Sequence, residues 1–329
     1  MKRVIVCGFG FMGQNHAGNI FQCKDLELAA VVDSTPKSEI KPVKGNLATE
    51  SFDWEKLKDI PFYPSLSDAL DHCEADAVLI ATPTRFHIPL ALEAVSRGKH
   101  VFVEKPLCFD LKEAEAIKKA MAGKNLVFQV GHCVRFQSEY RILREFCRDK
   151  RYGELKYLKL YRMTGKPNWG VWKNLDTSIS SASGPLFDLC IHDVDYALSL
   201  LGEPDDVAVQ RPDHSDTVFT ADWKYSNGSR IEVGGGFMLP STLPFRAGFF
   251  AVFEHAAMEF DSRFGDKLVL STDQESQVID CTGEKNLYLA EIMEFASSMM
   301  SGTPAQCGLE DGFKAVAWCH RLKDMLTSK

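Results

Sequence analysis

Three groups of residues in this 329-residue chain have the types and spacing to do chemistry. The first is G-F-G-F-M-G, Gly8 to Gly13, directly after the apolar run RVIVC, with Asp33 closing a second apolar run 20 residues beyond Gly13. That is the spacing of a dinucleotide-binding loop. Gly8 permits the tight turn, Gly10 lets the backbone approach a pyrophosphate, and Gly13 allows a helix to pack closely on the strand. A helix beginning at Phe11 and Met12 would aim its N–H groups and the positive end of its dipole at the phosphates, with Phe9 in the turn. Asp33, followed by Ser34, would accept hydrogen bonds from the adenosine ribose. Its charge repels a 2′-phosphate, and Lys37 is the nearest cation. The pattern predicts NAD, with NADP the second choice.

The second group is Glu104, Lys105 and Pro106 at the end of the run HVFVEKP. In open α/β sheets ligands bind beyond the carboxyl ends of the strands, so a lysine there can face a nicotinamide and its substrate. By position alone a solvated Lys–Glu pair is an equal reading. The preceding strand leads into IATPTRFH, which places Thr82, Pro83 and His87 where a loop would pass over the cofactor; by chemistry alone His87 also reads as a helix-start residue with a local hydrogen bond.

The third group is GPLFDLCIHDVD, residues 184–195. Read as one α-helix, it puts Asp188, His192 and Asp195 at i, i+4 and i+7 on a shared face, with Cys190, Val194, Ala197 and Leu201 toward a core. A histidine titrates near neutral pH, and a carboxylate one turn away can hold its tautomer and stabilise the imidazolium. Taken alone, this helix has only a wet face. Asp188 and His192 carry the chemical reading, and Asp195 the structural one.

The elements that must position these groups follow from the patterning. Strands at RVIVCG, LELAAVVD, ADAVLIAT, KHVFVEKP and NLVFQVG alternate with helices over 11–22, 86–98 and 110–123. Short apolar strands separated by helices predict a parallel sheet covered on both faces. Residues 36–64, with Pro36, Pro42, Pro61, Pro64 and Gly45, predict an elaborated loop with one short strand at IPFY. After residue 135 the rhythm changes. A helix near 137–150 leads into ELKYLKLYRMT, which alternates with period two. Strand-like segments fill 206–282, and two helices follow near 286–300 and 309–327. The expected fold is an α/β Rossmann domain, residues 1–132, plus a C-terminal α+β domain, 133–329, on a large open, mainly antiparallel sheet. The C-terminal helix is placed to pack back on the first domain.

Bulk properties exclude some classes. A net charge of −7 argues against non-specific nucleic-acid binding, which needs a basic surface. No run of 18 apolar residues predicts a membrane span. The basic-then-apolar start MKRVIVCGFGFMG is broken by glycines, unlike a signal peptide. Ten cysteines without a C-x-x-C pair read as reduced core residues of a cytoplasmic protein, and no clustered ligands point to a metal.

Taken together, the glycine loop with Asp33, then ATPTRFH, EKP, GHCVRF and GPLFDLCIHDVD, in this order over essentially the whole chain, resemble the glucose–fructose oxidoreductase, inositol dehydrogenase and rhizopine-catabolism family (Gfo/Idh/MocA). The resemblance implies NAD(P)-dependent oxidation of a secondary alcohol on a sugar, polyol or related compound. It matches the family's catalytic lysine to Lys105 and its aspartate and histidine to Asp188 and His192. It also implies a homodimer or homotetramer paired through the C-terminal sheet. Thr84 stands where the family often has Asn, and Cys190 where it often has Gly. The stretch KPNWGVWKNLDTSISSAS adds tryptophan faces and amides suited to a sugar ring, so Trp172 and Asn174, with Arg135, are the candidate substrate contacts. The tryptophans equally suit an interface. Two other readings stand beside the dehydrogenase: a glycoside hydrolase that uses bound NAD transiently, and a non-catalytic dinucleotide sensor. An intact lysine, aspartate and histidine set argues against the sensor.

Overall fold

The computed structural model describes residues 1–43, 52–166, 186–212, 218–284 and 286–327. The chain forms two compact units, Met1–Cys133 with Asn286–Phe313, and Val134–Lys285 with Lys314–Lys329. The first unit therefore includes a returning segment as well as the N-terminal residues.

The first unit alternates strand and helix: β1 (Lys2–Cys7), α1 (Phe11–Gln22), β2 (Leu26–Val32), β3 (Phe62–Tyr63), α2 (Leu66–His72), β4 (Ala77–Ile80), α3 (His87–Ser96), β5 (His100–Glu104), α4 (Leu111–Met121) and β6 (Phe128–Gly131). The strands pair in parallel in the order β3-β2-β1-β4-β5-β6. Val4–Cys7, Ala77–Ile80 and Val101–Val103 are buried throughout, so both faces of the sheet are covered. This is why these strands read as unbroken apolar runs rather than as alternations. The strand order reverses between β1 and β4, which opens the crevice in which such sheets bind ligands.

Residues 36–64 are only partly loop. Lys37 Nζ donates to the carbonyls of Lys58 and Ile60 at 2.6 and 2.7 Å, and β3 pairs with the end of β2. The ring of Phe9 packs edge-on against Phe52 and Phe62, with centroids 5.9 and 5.5 Å apart. The elaborated segment thus supplies the apolar floor of the glycine loop. Helix α7 (Leu287–Ser301) belongs to the same core, because Ile292, Phe295, Ala296 and Met299 pack into the apolar cluster that includes Phe102.

In the second unit α5 (Ser138–Asp149) and β7 (Leu155–Gly165) are followed by a π-helical turn, Leu186–Cys190, and by α6 (Ile191–Leu201). Then come β8 (Asp206–Gln210), β9 (Val218–Lys224), β10 (Arg230–Leu239), β11 (Arg246–Phe253), β12 (Ala257–Asp261), β13 (Lys267–Ser271) and β14 (Ser276–Asp280). Helix α8 (Leu309–Thr327) contributes its portion from Lys314. The eight strands run in the order β14-β13-β12-β11-β7-β10-β9-β8, antiparallel except where β10 meets β7. Along β7, Leu158, Leu160, Arg162 and Thr164 are buried, while Lys159 and Met163 are exposed. One face is covered by helices and the other is open. The tyrosine–aromatic cluster under α5 and α6 anchors the covered face: Tyr140 meets Tyr196 at 4.9 Å and Phe249 at 5.1 Å between centroids.

The expectation of a single α-helix through residues 184–195 is corrected. Leu186–Cys190 is a π turn, and the α-helix begins at Ile191. Asp188 lies in this wider turn, so its α-helical spacing to the rest of the face does not carry over, whereas His192 and Asp195 both lie in the regular helix. The glycine run in β10 is complementary to this turn. A Cβ on Gly235 would lie 2.2 Å from Cys190 Sγ.

Candidate active site

In the first unit the glycine loop is shaped by backbone clearance. Gly8 has φ +85°, and a Cβ there would lie 2.7 Å from the Ala81 carbonyl oxygen. A Cβ on Gly13 would lie 1.9 Å from the Gly8 carbonyl oxygen. Gly10, by contrast, faces open space with no atom of the described residues within 4 Å of such a Cβ. Two glycines therefore bring strand, loop and helix into contact, and the third leaves room for a ligand. Gly13→Ala is expected to destabilise the protein by about 1–3 kcal/mol, because α1 must shift off β1. Thermal unfolding checks this, and an unchanged midpoint would contradict it.

Asp33 is held at both oxygens. Phe9 N–H donates to Oδ2 at 2.6 Å, and Thr35 N–H donates to Oδ1 at 2.8 Å. A carboxylate oxygen has more than one acceptor site, so both remain able to take a ribose hydroxyl. Phe9 contributes its amide here, since its ring is in the core. A cleft of about 450 Å³ opens beside Asp33 and Ser34, bounded by Lys37, Phe62 and Tyr63. The Lys37 ammonium is occupied by backbone carbonyls and lies over the Phe62 ring, away from the role of a phosphate partner.

Across the switch point, Ala81 N–H donates to the Cys7 carbonyl at 2.8 Å, which brings Thr82 and the exposed Pro83 next to the glycine loop. Thr82 Oγ1 is buried without a hydrogen-bond partner among the described residues. An orphaned hydroxyl at the crevice, an open Gly10 and the first-turn N–H groups of Phe11 and Met12, uncapped by a Gly10 side chain, fit a bound dinucleotide.

His87, a candidate cofactor contact that also reads as a helix-start residue, is buried as the first residue of α3. Its Nδ1 lies 2.9 Å from the Pro106 carbonyl oxygen and its Nε2 lies 2.9 Å from the Thr82 carbonyl oxygen. The ring thus lies between the loop after β4 and the loop after β5, and in its neutral form it donates to one of these two carbonyls, the tautomer setting which. Burial lowers its pKa below the usual imidazole range, outweighing the two carbonyls and Glu104, which pull it up.

Lys105 is half-buried at the first position after β5, and its bond to Pro106 is cis. Its own N–H donates to Glu104 Oε2 at 3.1 Å. Glu104 is not a solvated partner. It is buried, and Oε1 pairs with His16 Nε2 at 2.7 Å. His16 had no role in the sequence reading, although it stands three residues after Gly13.

In the second unit Asp188 and His192 are half-buried, one in the π turn and one in the first turn of α6. The other two acids of this stretch point inward. Asp193 is fully buried and accepts from Arg162 Nε at 3.0 Å; burial pushes its carboxyl up to about 6 against the pull of Arg162. Asp195 accepts from Arg135 Nε at 2.7 Å and from Nη2 at 2.6 Å. Arg135, a candidate substrate contact in the sequence, is thus the buried partner of Asp195. Trp172 and Asn174 lie outside the described residues.

A doubly wound parallel sheet, with a glycine loop and a strand-end acid at its switch point, joined to a second unit on an open sheet, defines a dinucleotide-dependent oxidoreductase. Comparison with known proteins gives the particular family. Residues 2–132 match the oxidoreductase family with an NAD-binding Rossmann fold, and residues 140–247 match the Gfo/Idh/MocA C-terminal domain. The chain belongs to the Gfo/Idh/MocA family. It is 25% identical to the uncharacterized oxidoreductase YrbE of Bacillus subtilis, covering 94% of this chain and 90% of that one. It is 24% identical to the myo-inositol 2-dehydrogenase of Thermotoga maritima, covering 99% and 97%. Among solved structures, a levoglucosan dehydrogenase in complex with NADH and levoglucosan shares the fold, with a TM-score of 0.83 at 17% identity over 99% of this chain and 97% of that one. Among the described residues, no helix is long and apolar enough to cross a membrane.

Proposed function

We propose that the protein is an NAD-dependent dehydrogenase of a secondary alcohol on a sugar, an inositol-like polyol or a sugar derivative. The observation that carries this is Lys105, partly exposed at the carboxyl end of β5 in a unit whose crevice fits a dinucleotide. Relatives named as inositol and glucoside dehydrogenases support the substrate class.

When bound, the nicotinamide supplies the hydride acceptor. The protein must then orient the alcohol and take its proton. His192 is assigned as general base, because imidazole titrates nearest neutral pH. Asp188 orients the imidazole or accepts a substrate hydroxyl. Lys105 stabilises the developing alkoxide and can share the proton. Gly8–Gly13, Thr82 and Pro83 form the cofactor crevice, His87 and Glu104 hold its loops, and Trp172 and Asn174 remain candidate sugar contacts.

The open face of the eight-stranded sheet exposes Met163 and Phe250, which supports pairing of two or four copies through it. All ten cysteines are free and eight of them are buried, which supports a reducing, cytoplasmic setting.

The test is NADH absorbance with a panel of sugars and polyols, chosen by which of them raise thermal stability in saturating NAD. No NADH with any stabilising ligand would sink the proposal. Asp33→Ala is expected to weaken NAD binding about 10–100-fold, the loss of charge-assisted hydrogen bonds to the ribose, while NADP affinity falls less. Calorimetric titration with both cofactors checks this, and an unchanged NAD affinity would remove Asp33 from the site.

A further inference from the structure

We propose that Glu291 is a positioning residue for Lys105: a buried carboxylic acid, kept uncharged against the His16–Glu104 pair, so that Glu104 is the one charged carboxylate of this cluster acting on the lysine. The inference rests on the reading of Lys105 given above, and it adds His16 and Glu291, to which the sequence motifs assign no role.

The geometry is confined to the first unit. Glu104, the last residue of β5, accepts the Lys105 N–H with one oxygen and faces His16 Nε2 with the other, at 3.1 and 2.7 Å. From α7, Glu291 brings a carboxyl oxygen to within 4.8 Å of both partners' ligand atoms. His16 and Glu291 are completely buried, and Glu104 is 7% exposed. Neither oxygen of Glu291 has a hydrogen-bond partner among the described residues, and nor does His16 Nδ1. Gln129 on β6 pins α7 here, its Nε2 donating to the Glu291 backbone carbonyl at 3.1 Å, while its own Oε1 is also unpartnered. The pocket is therefore rich in acceptors and short of protons. A proton on Glu291 supplies a donor and removes a second buried charge, and two carboxylates sharing a dry site cannot both ionise.

The surrounding groups agree with that state. Burial, then the charges of Glu104 and Glu294, holds Glu291 well above the usual carboxylate range. Burial also pushes Glu104 up, but the hydrogen bond and charge of His16, then Lys105 and His87, bring it below its ordinary value. From α7, the Tyr288 ring meets His16 edge-on at 6.2 Å between centroids and closes that side. Were Glu291 to ionise, a second negative charge would raise the pKa of Lys105 and weaken it as a proton carrier near neutrality.

The experiment uses the full chain. Infrared spectra of the wild type minus Glu291→Gln at neutral pH are expected to show the C=O stretch of a protonated carboxylic acid, shifting in D₂O. Carboxylate bands in its place, or stoichiometric metal in the purified protein, would overturn the proposal. In Glu104→Gln the acid band is expected to be lost about one pH unit lower or more, because the neighbouring charge is gone; an unmoved transition would also overturn it. This second variant, with a pH titration of the wild type, carries the test if Glu291→Gln does not fold. Trace acetylation across pH, read by mass spectrometry, gives the titration of Lys105. A curve stretched at alkaline pH in the wild type and simple in Glu291→Gln is expected, and identical curves count against the coupling. None of these readouts needs a substrate. If Lys105→Ala leaves turnover intact, the catalytic reading of the lysine fails, while the acid band and the coupling still stand or fall by themselves.

Discussion

Lys105→Ala lowers kcat about 1,000-fold while the protein still binds NAD. That is the expected result for the residue on which the functional reading depends. The magnitude is the usual worth of a positioned proton-transfer group combined with electrostatic stabilisation of a developing alkoxide. Cofactor binding is expected to survive because the groups proposed to hold the dinucleotide are others: the glycine loop, the start of α1 and Asp33. Lys105→Arg is not expected to restore the rate, since a guanidinium keeps its proton throughout the accessible pH range and has a different shape. Stopped-flow or steady-state NADH absorbance, with calorimetry for NAD, separates the two effects. A loss of less than about tenfold in kcat would make Lys105 a bystander.

The second large effect is on stability. Removing either partner of the Arg135–Asp195 pair, as Arg135→Ala or Asp195→Ala, is expected to destabilise the second unit by about 3–5 kcal/mol. Arg135 is 4% exposed and Asp195 1%, and two hydrogen bonds of 2.7 and 2.6 Å join them. Truncating one takes both of these hydrogen bonds from a buried opposite charge, which costs far more than an exposed ion pair contributes. Replacing both, as Arg135→Met with Asp195→Leu, is expected to recover much of the loss. Urea unfolding of the three variants checks this. If Arg135 instead contacts substrate, Arg135→Ala raises KM and leaves the unfolding midpoint where it was.

The parallel sheet was legible because burial on both faces writes an unbroken apolar run at each strand, as in Val4–Cys7 and Val101–Val103. The cofactor crevice was legible because glycine is required where backbones touch, and Gly8 and Gly13 touch Ala81 and Gly8 itself. The open sheet showed in the period-two alternation of β7. Less could be read from polar residues. Arg135, His87 and Glu104 look solvent-seeking in one dimension, and each is buried with at least one polar atom facing a residue 19 to 88 positions away.

By itself, then, the sequence determined the order of elements, the dinucleotide loop with its acid, and the lysine at a strand end, since these are local patterns of glycine placement, period and strand termination. Only the tertiary structure decided which charges face a ligand and which face each other. It turned the middle of GPLFDLCIHDVD into a π turn, sent Asp193 and Asp195 inward to Arg162 and Arg135, and brought Glu291 of α7 beside His16 and Glu104. The reason is physical: a buried charge must find its partner through space, and nothing in the spacing along the chain records the distance at which it does so.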